Sequence, residues 1–239
     1  MTVASIDPRD RLIFALDVPD AIAARQLVEQ LGDSVTFYKI GLELMAAGGY
    51  FELADWLLKR NKKVFADLKF FDVPATVGRS VALLAKRGIT FATVHGNQGI
   101  MEAAAAAKGE LKILAVTVLT SLDRGDLDDL GFKCDVEALV LSRARRALEA
   151  GCDGVVASGL ELPAMRRAID SRLLVVTPGI RPVENRPSDD QKRVVTVEQA
   201  FADGANYIVV GRPIRDARDP RAAAEAIQQT IARQFSATS

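Results

Sequence analysis

The chain has 239 residues, 31 basic and 31 acidic side chains, and a formal net charge of zero; 49% of its residues are apolar. Zero net charge without a basic block argues against nucleic acid or an anionic membrane as the main partner, and no apolar run approaches the roughly 18–20 residues of a membrane span. One histidine and two cysteines without ligand-like spacing argue against an ordinary zinc site and fit a reducing cytoplasm.

The start, Met1-Thr2-Val3-Ala4-Ser5-Ile6-Asp7, lacks the basic and apolar regions of a signal peptide. Short apolar runs then alternate with amphipathic stretches. Leu12–Val18 reads as a strand, followed after the N-cap candidate Asp20 by a helix over Asp20–Leu31. Thr36–Gly41 reads as the second strand, before a helical pattern over Glu43–Arg60 that contains Gly48 and Gly49. Lys63–Lys69 is the third strand, and Pro74–Arg87 the next helix, with Gly78 inside it. Phe91–His95 and Ile113–Leu119 are the fourth and fifth strands. A helix over Val136–Ala150 precedes Gly154–Ser158, Leu173–Pro178 and Tyr207–Gly211. Gly32, Gly88, Gly151 and Gly204 stand where helices should stop.

Eight β/α units in this length predict a single (β/α)8 TIM barrel over residues 1–239, an α/β fold. A doubly wound open sheet is the alternative. It would more often carry a glycine-rich first turn, and Asp17-Val18-Pro19-Asp20 has no glycine. Two strand-to-helix loops are long: Thr120–Asp135, with Asp123, Asp126, Asp128 and Asp129, and Gly179–Val194. Loops of this length usually serve function or are disordered.

A barrel of this kind puts working residues at the C-terminal strand ends. Asp17 ends strand 1, Lys39 lies near the end of strand 2, and Asp67 and Lys69 end strand 3. Strand alternation turns Phe65, Asp67 and Lys69 the same way. A salt bridge is the ordinary reading of such charges, since burial costs several kcal/mol, roughly, unless they are paired. An Asp-Lys-Asp-Lys array at one barrel mouth exceeds what stability requires. Thr120 and Ser121 follow strand 5, Arg181 follows strand 7, and Gly211-Arg212 follows strand 8. The last pair suits a phosphate, because a bare backbone and a planar guanidinium fork can share its oxygens, and Gln191 of the long loop could add an amide. His95, the only histidine, is expected to be structural; Trp56 and Met45 are expected in the core.

Six segments together resemble the bacterial orotidine 5′-phosphate decarboxylases: Phe14-Ala15-Leu16-Asp17, Tyr38-Lys39-Ile40-Gly41, Asp67 through Thr76, Thr117-Val118-Leu119-Thr120-Ser121, Thr177-Pro178-Gly179-Ile180-Arg181 and Val210-Gly211-Arg212-Pro213-Ile214. Two positions depart from the commonest bacterial form: Phe71 stands where histidine is frequent, and Ala75 where asparagine is frequent. The resemblance implies conversion of orotidine 5′-phosphate to UMP and carbon dioxide, in a homodimer, without metal or organic cofactor. It implies that Lys69 protonates C6, that Asp67 lies beside the departing carboxylate, and that Asp17 and Lys39 bind ribose hydroxyls. Asp72 and Thr76 would enter the partner subunit's site. Ser121 would contact the pyrimidine with Thr120 beside it, and Arg181, Gln191, Gly211 and Arg212 would hold the phosphate.

Two other readings stay open at this level. Some related barrels share Asp-x-Lys-x-x-Asp on strand 3 but bind magnesium through an acid on strand 2, the place that Lys39 takes here. A non-catalytic barrel that binds a phosphorylated ligand would need fewer charges than Asp67, Lys69 and Asp72 supply.

Overall fold

The computed structural model describes residues 6–181 and 194–236. Eight parallel strands close into a barrel in sequence order, β1 hydrogen-bonding to β8. They are β1 Leu12–Ala15, β2 Phe37–Gly41, β3 Lys63–Phe70, β4 Phe91–His95, β5 Lys112–Val116, β6 Gly154–Val156, β7 Leu174–Thr177 and β8 Tyr207–Val210. Around them run α1 Ala21–Leu31, α2 Leu42–Ala47, α3 Tyr50–Leu58, α4 Pro74–Ala85, α5 Gln98–Ala107, α6 Arg124–Asp129, α7 Val136–Glu149, α8 Leu162–Ala168, α9 Val197–Ala202, α10 Arg212–Arg215 and α11 Pro220–Ser236. The closed order rejects the open doubly wound sheet.

Alternation along the strands sorts side chains between two cores. Ile13, Ala15, Phe37, Phe65, Phe91, Leu114, Leu174, Val176, Tyr207 and Val209 fill the barrel. Their intervening neighbours, such as Leu12, Phe14, Tyr38 and Val64, pack outward against the helices. Phe37, Phe91 and Tyr207 meet in the interior with ring centroids 5.1 to 6.1 Å apart. Their bulk seals the barrel beneath its C-terminal mouth, so polar groups one step higher on the same strands face a floor and not a channel.

The expected helix over Glu43–Arg60 is two helices. Gly48 and Gly49 have φ of 87° and 73°, a left-handed conformation that a side chain would oppose, and they break the periodic pattern into α2 and α3. Gly78, in contrast, continues α4. Asp20 caps α1 as expected, its carboxylate accepting from the backbone N–H groups of Ile22 and Ala23. Met45 and Trp56 lie half-buried against the outer core.

The Thr120–Asp135 segment is not structureless. Asp123 and Asp126 form a reciprocal capping box that starts α6, and Asp128 pairs with Arg124. Those acids are occupied in holding the loop. Most of the second long loop, including Gln191, lies outside the described residues. Its two ends meet in a parallel bridge between Ile180 and Val195, and Arg181 N–H donates to Val195 O at 3.0 Å. Cys134 and Cys152 are unbridged, and burial pushes the Cys152 thiol up to about 12. Among the described residues, no helix is long and apolar enough to cross a membrane.

Candidate active site

A cavity of about 530 Å³ opens at the C-terminal mouth of the barrel. Its lining draws on seven strands and their following loops: Asp17 after β1, Lys39 on β2, Asp67 and Lys69 on β3, Thr120 and Ser121 after β5, Arg181 after β7, Gly211 and Arg212 after β8, with Val156 and Ala157 at β6.

The charges form one chain. Lys39 Nζ lies 3.0 Å from Asp17 Oδ1 and 3.5 Å from Asp67 Oδ2, and the same Asp67 oxygen accepts from Lys69 Nζ at 2.9 Å. Lys39 and Asp67 are nearly enclosed, with 13% and 12% of their side chains exposed, whereas Lys69 is 30% exposed and faces the cavity. Burial works against the Asp67 charge, but the Lys39 and Lys69 ammonium groups, with hydrogen bonds from Lys69 and Thr93, outweigh it and hold its pKa below the ordinary carboxylate value. Burial likewise opposes the Lys39 charge; the carboxylates of Asp67 and Asp17 overcome it and hold Lys39 above the usual lysine value. Asp67 and Lys39 therefore keep their charges at neutral pH.

Strand β3 departs from regularity where the site begins. Phe65 and Ala66 pair with Phe91 and Ala92, but Phe70 pairs with Val94, so the register shifts between Ala66 and Phe70. Lys69 has φ of 47°, a left-handed conformation unusual for a side-chain-bearing residue. Strain of this sort persists where surrounding contacts fix it, and it concentrates at functional sites.

The phosphate-side candidates are carried by β7 and β8. Gly211 leads into α10, and a side chain there would meet Ala15 Cβ at 3.4 Å and Asp17 Oδ2 at 3.9 Å. Arg212 and Arg181 line the same cavity.

A family model described as orotidine 5′-phosphate decarboxylase / HUMPS matches residues 10–227. The chain belongs to that family. A curated relative from Methylococcus capsulatus, named orotidine 5′-phosphate decarboxylase, is 69% identical over 228 residues, covering 95% of this chain and 94% of the relative. One of the same name from Stenotrophomonas maltophilia is 53% identical over 236 residues, covering 97% and 98%. The crystal structure of orotidine 5′-phosphate decarboxylase from Lactobacillus acidophilus superposes with a TM-score of 0.83 at 35% identity, covering 93% of this chain and 99% of that one.

For a chain of the decarboxylase family, ten of the twelve residues singled out in the sequence line one cavity or lie outside the described part: nine line the mouth, and Gln191 is not described. The other two are apart. Asp72 is exposed and accepts from Val73 N–H at 2.6 Å, and Thr76 Oγ1 accepts from Arg79 at 3.2 Å. Neither lines the cavity of its own chain. The flanking side chains Phe71 and Val73 are 67% and 62% exposed.

His95 stands beside the site. Its ring meets Phe71 with centroids 4.8 Å apart, and burial first, then Arg143 and Lys69, pushes its pKa below the ordinary histidine value. Two polar residues of the mouth escaped the sequence reading. Thr93, between Phe91 and His95 on β4, follows the inward alternation that would have found it. Arg215 lines the cavity one helical turn beyond Arg212 and donates to Asp17 O at 2.7 Å.

Proposed function

We propose that this protein converts orotidine 5′-phosphate to UMP and carbon dioxide as a cofactor-independent carboxy-lyase of pyrimidine biosynthesis, with Lys69 as the proton donor. The observation that carries the reading is the Lys69 ammonium, held 2.9 Å from Asp67 in a cavity that Gly211 and Arg212 also line. The names of the relatives agree with it.

In this reading the C6–carboxylate bond breaks, carbon dioxide leaves, and the electron pair stays on C6. That carbon has no adjacent carbonyl to take up the charge. Preorganised electrostatics must therefore stabilise it. The Lys69 ammonium supplies positive charge where the pair develops and then transfers its proton to C6; solvent reprotonates the amine. Asp67 holds Lys69 in place and lies beside the departing carboxylate. Asp17 and Lys39 bind ribose hydroxyls, Ser121 and Thr120 meet the pyrimidine, and Arg181, Gly211, Arg212 and Gln191 bind the phosphate. Remote phosphate binding then contributes to lowering the barrier at C6.

Lys39 also bears on the metal-dependent alternative. Its ammonium stands between Asp17 and Asp67, the carboxylates a divalent cation would need, at 3.0 and 3.5 Å. A second cation there would meet direct repulsion.

Asp72 and Thr76 lie on an exposed segment with Phe71 and Val73, outside their own cavity. A homodimer that buries this segment would bring them to the partner's mouth. The purified protein should consume orotidine 5′-phosphate at an unchanged rate in excess chelator; activity that disappeared there and returned with magnesium would reject the cofactor-independent reading.

A further inference from the structure

The Thr93 side chain is fully buried, and its single hydroxyl touches both parts of the β3 site. Thr93 Oγ1 donates to Asp67 Oδ1 at 2.9 Å and accepts from the Lys69 backbone N–H at 2.9 Å. A hydroxyl has one proton to donate and two lone pairs, so these contacts fix its orientation.

Both contacts resolve a local problem. The register shift between Ala66 and Phe70 removes Lys69 from regular pairing with β4, and an unpaired N–H inside the barrel wall would be costly. Thr93 supplies the acceptor from its side chain. At the same time, Asp67 Oδ1 is taken up, which turns Oδ2 toward Lys69 Nζ at 2.9 Å and Lys39 Nζ at 3.5 Å. The hydroxyl thereby sets where the Lys69 main chain leaves the strand and how the carboxylate that meets its ammonium is rotated. The left-handed φ of 47° at Lys69 has a bonded partner that holds it.

We propose that Thr93 is a positioning residue for the decarboxylation, fixing the Lys69 backbone and the Asp67 carboxylate through one hydroxyl so that the Lys69 proton is aimed into the cavity. This inference rests on the decarboxylase reading and on the assignment of Lys69 as proton donor.

The test compares wild type with Thr93→Val, which keeps the shape and loses the hydroxyl, and Thr93→Ser, which keeps the hydroxyl. Thr93→Ala removes the hydroxyl without placing a methyl against Asp67, and it reads the same quantity if the valine variant does not fold. Misplacing a reacting group by an ångström costs on the order of 100-fold. In the folded Val or Ala variant kcat should fall about 10- to 100-fold, with KM within about threefold of wild type. Thr93→Ser should stay within about threefold in both. The acid limb of the kcat profile should move to higher pH in the Val and Ala variants, because Asp67 loses a bond to its charged form. An active wild type with kcat unchanged in folded Val and Ala variants would overturn the positioning role alone, as would a serine variant that lost as much as valine. A wild type inactive toward orotidine 5′-phosphate would overturn the decarboxylase reading, and this inference with it.

Discussion

Asp67 Oδ2 accepts from the Lys69 ammonium at 2.9 Å while lying 3.5 Å from the Lys39 ammonium, so one carboxylate oxygen serves two cations. Its other oxygen is bonded to Thr93. Asp67 is the junction of the site.

Removing that junction should cost stability as well as activity. Without the carboxylate, two ammonium groups face each other in a largely enclosed mouth, and breaking a buried ion pair costs roughly 3–5 kcal/mol. Because Lys69 is partly open to solvent, Asp67→Ala should lose about 2–3 kcal/mol in urea denaturation. An unchanged midpoint would show that the three charges are not energetically coupled.

The pH dependence of stability has distinct limbs. Asp67 is depressed in the fold, so its contribution is present above the ordinary carboxylate pKa of about 3.9 and is lost as pH falls below it. Lys39 is raised, so its contribution is present below about 10.4 and is lost as pH rises past its folded pKa. His95 is depressed, so the unfolded chain takes up its proton first and stability declines as pH falls below about 6.5. Thermal melts across pH 5 to 7 should therefore slope in wild type and flatten in His95→Asn. A slope that persisted in the variant would remove His95 as its source.

Much of this architecture is legible in the sequence because parallel barrel strands are buried on both faces and read as apolar runs. Lys63–Phe70 and Phe91–His95 stand out in that way. The split at Gly48-Gly49 is less visible, since the apolar spacing continues across a break made by the backbone alone. The short helix α6 is hidden for the opposite reason: it is built from acids that cap one another and has little apolar periodicity. In the site, charged residues announce themselves at strand ends, whereas Thr93 is an ordinary strand former whose bond to the Lys69 N–H depends on the register shift opposite it. Alternation marks Thr93 as inward-facing, but the register shift is a property of two strands together and leaves no mark in either one.

Arg212→Ala should raise KM for orotidine 5′-phosphate and lower kcat/KM about 10- to 100-fold, the range of a lost charge-assisted contact. Steady-state kinetics with the phosphorylated substrate and with orotidine itself make the check. The variant and wild type should converge on the nucleoside, which lacks the phosphate. An equal loss on both substrates would place Arg212 outside the phosphate site.

The placement of Asp72 predicts complementation. Asp72→Asn and Lys69→Ala should each be nearly inactive alone. If Asp72 serves the partner's cavity, a mixed dimer regains one intact site. Refolding an equal mixture should restore about one quarter of wild-type sites, as half of random dimers are mixed and each carries one. No recovery in a mixture shown to contain mixed dimers would assign Asp72 to its own chain's site or to neither.

Lys69→Ala tests the central claim most directly, measured as orotidine 5′-phosphate turnover beside wild type in the same chelated buffer, with UMP affinity as the control for an intact cavity. Turnover should fall by at least about 10⁴-fold, as expected for a group that both stabilises the developing charge and supplies the proton, while UMP affinity stays within about tenfold. A variant that still turned over substrate within tenfold of wild type would contradict the assignment of Lys69 as the proton donor.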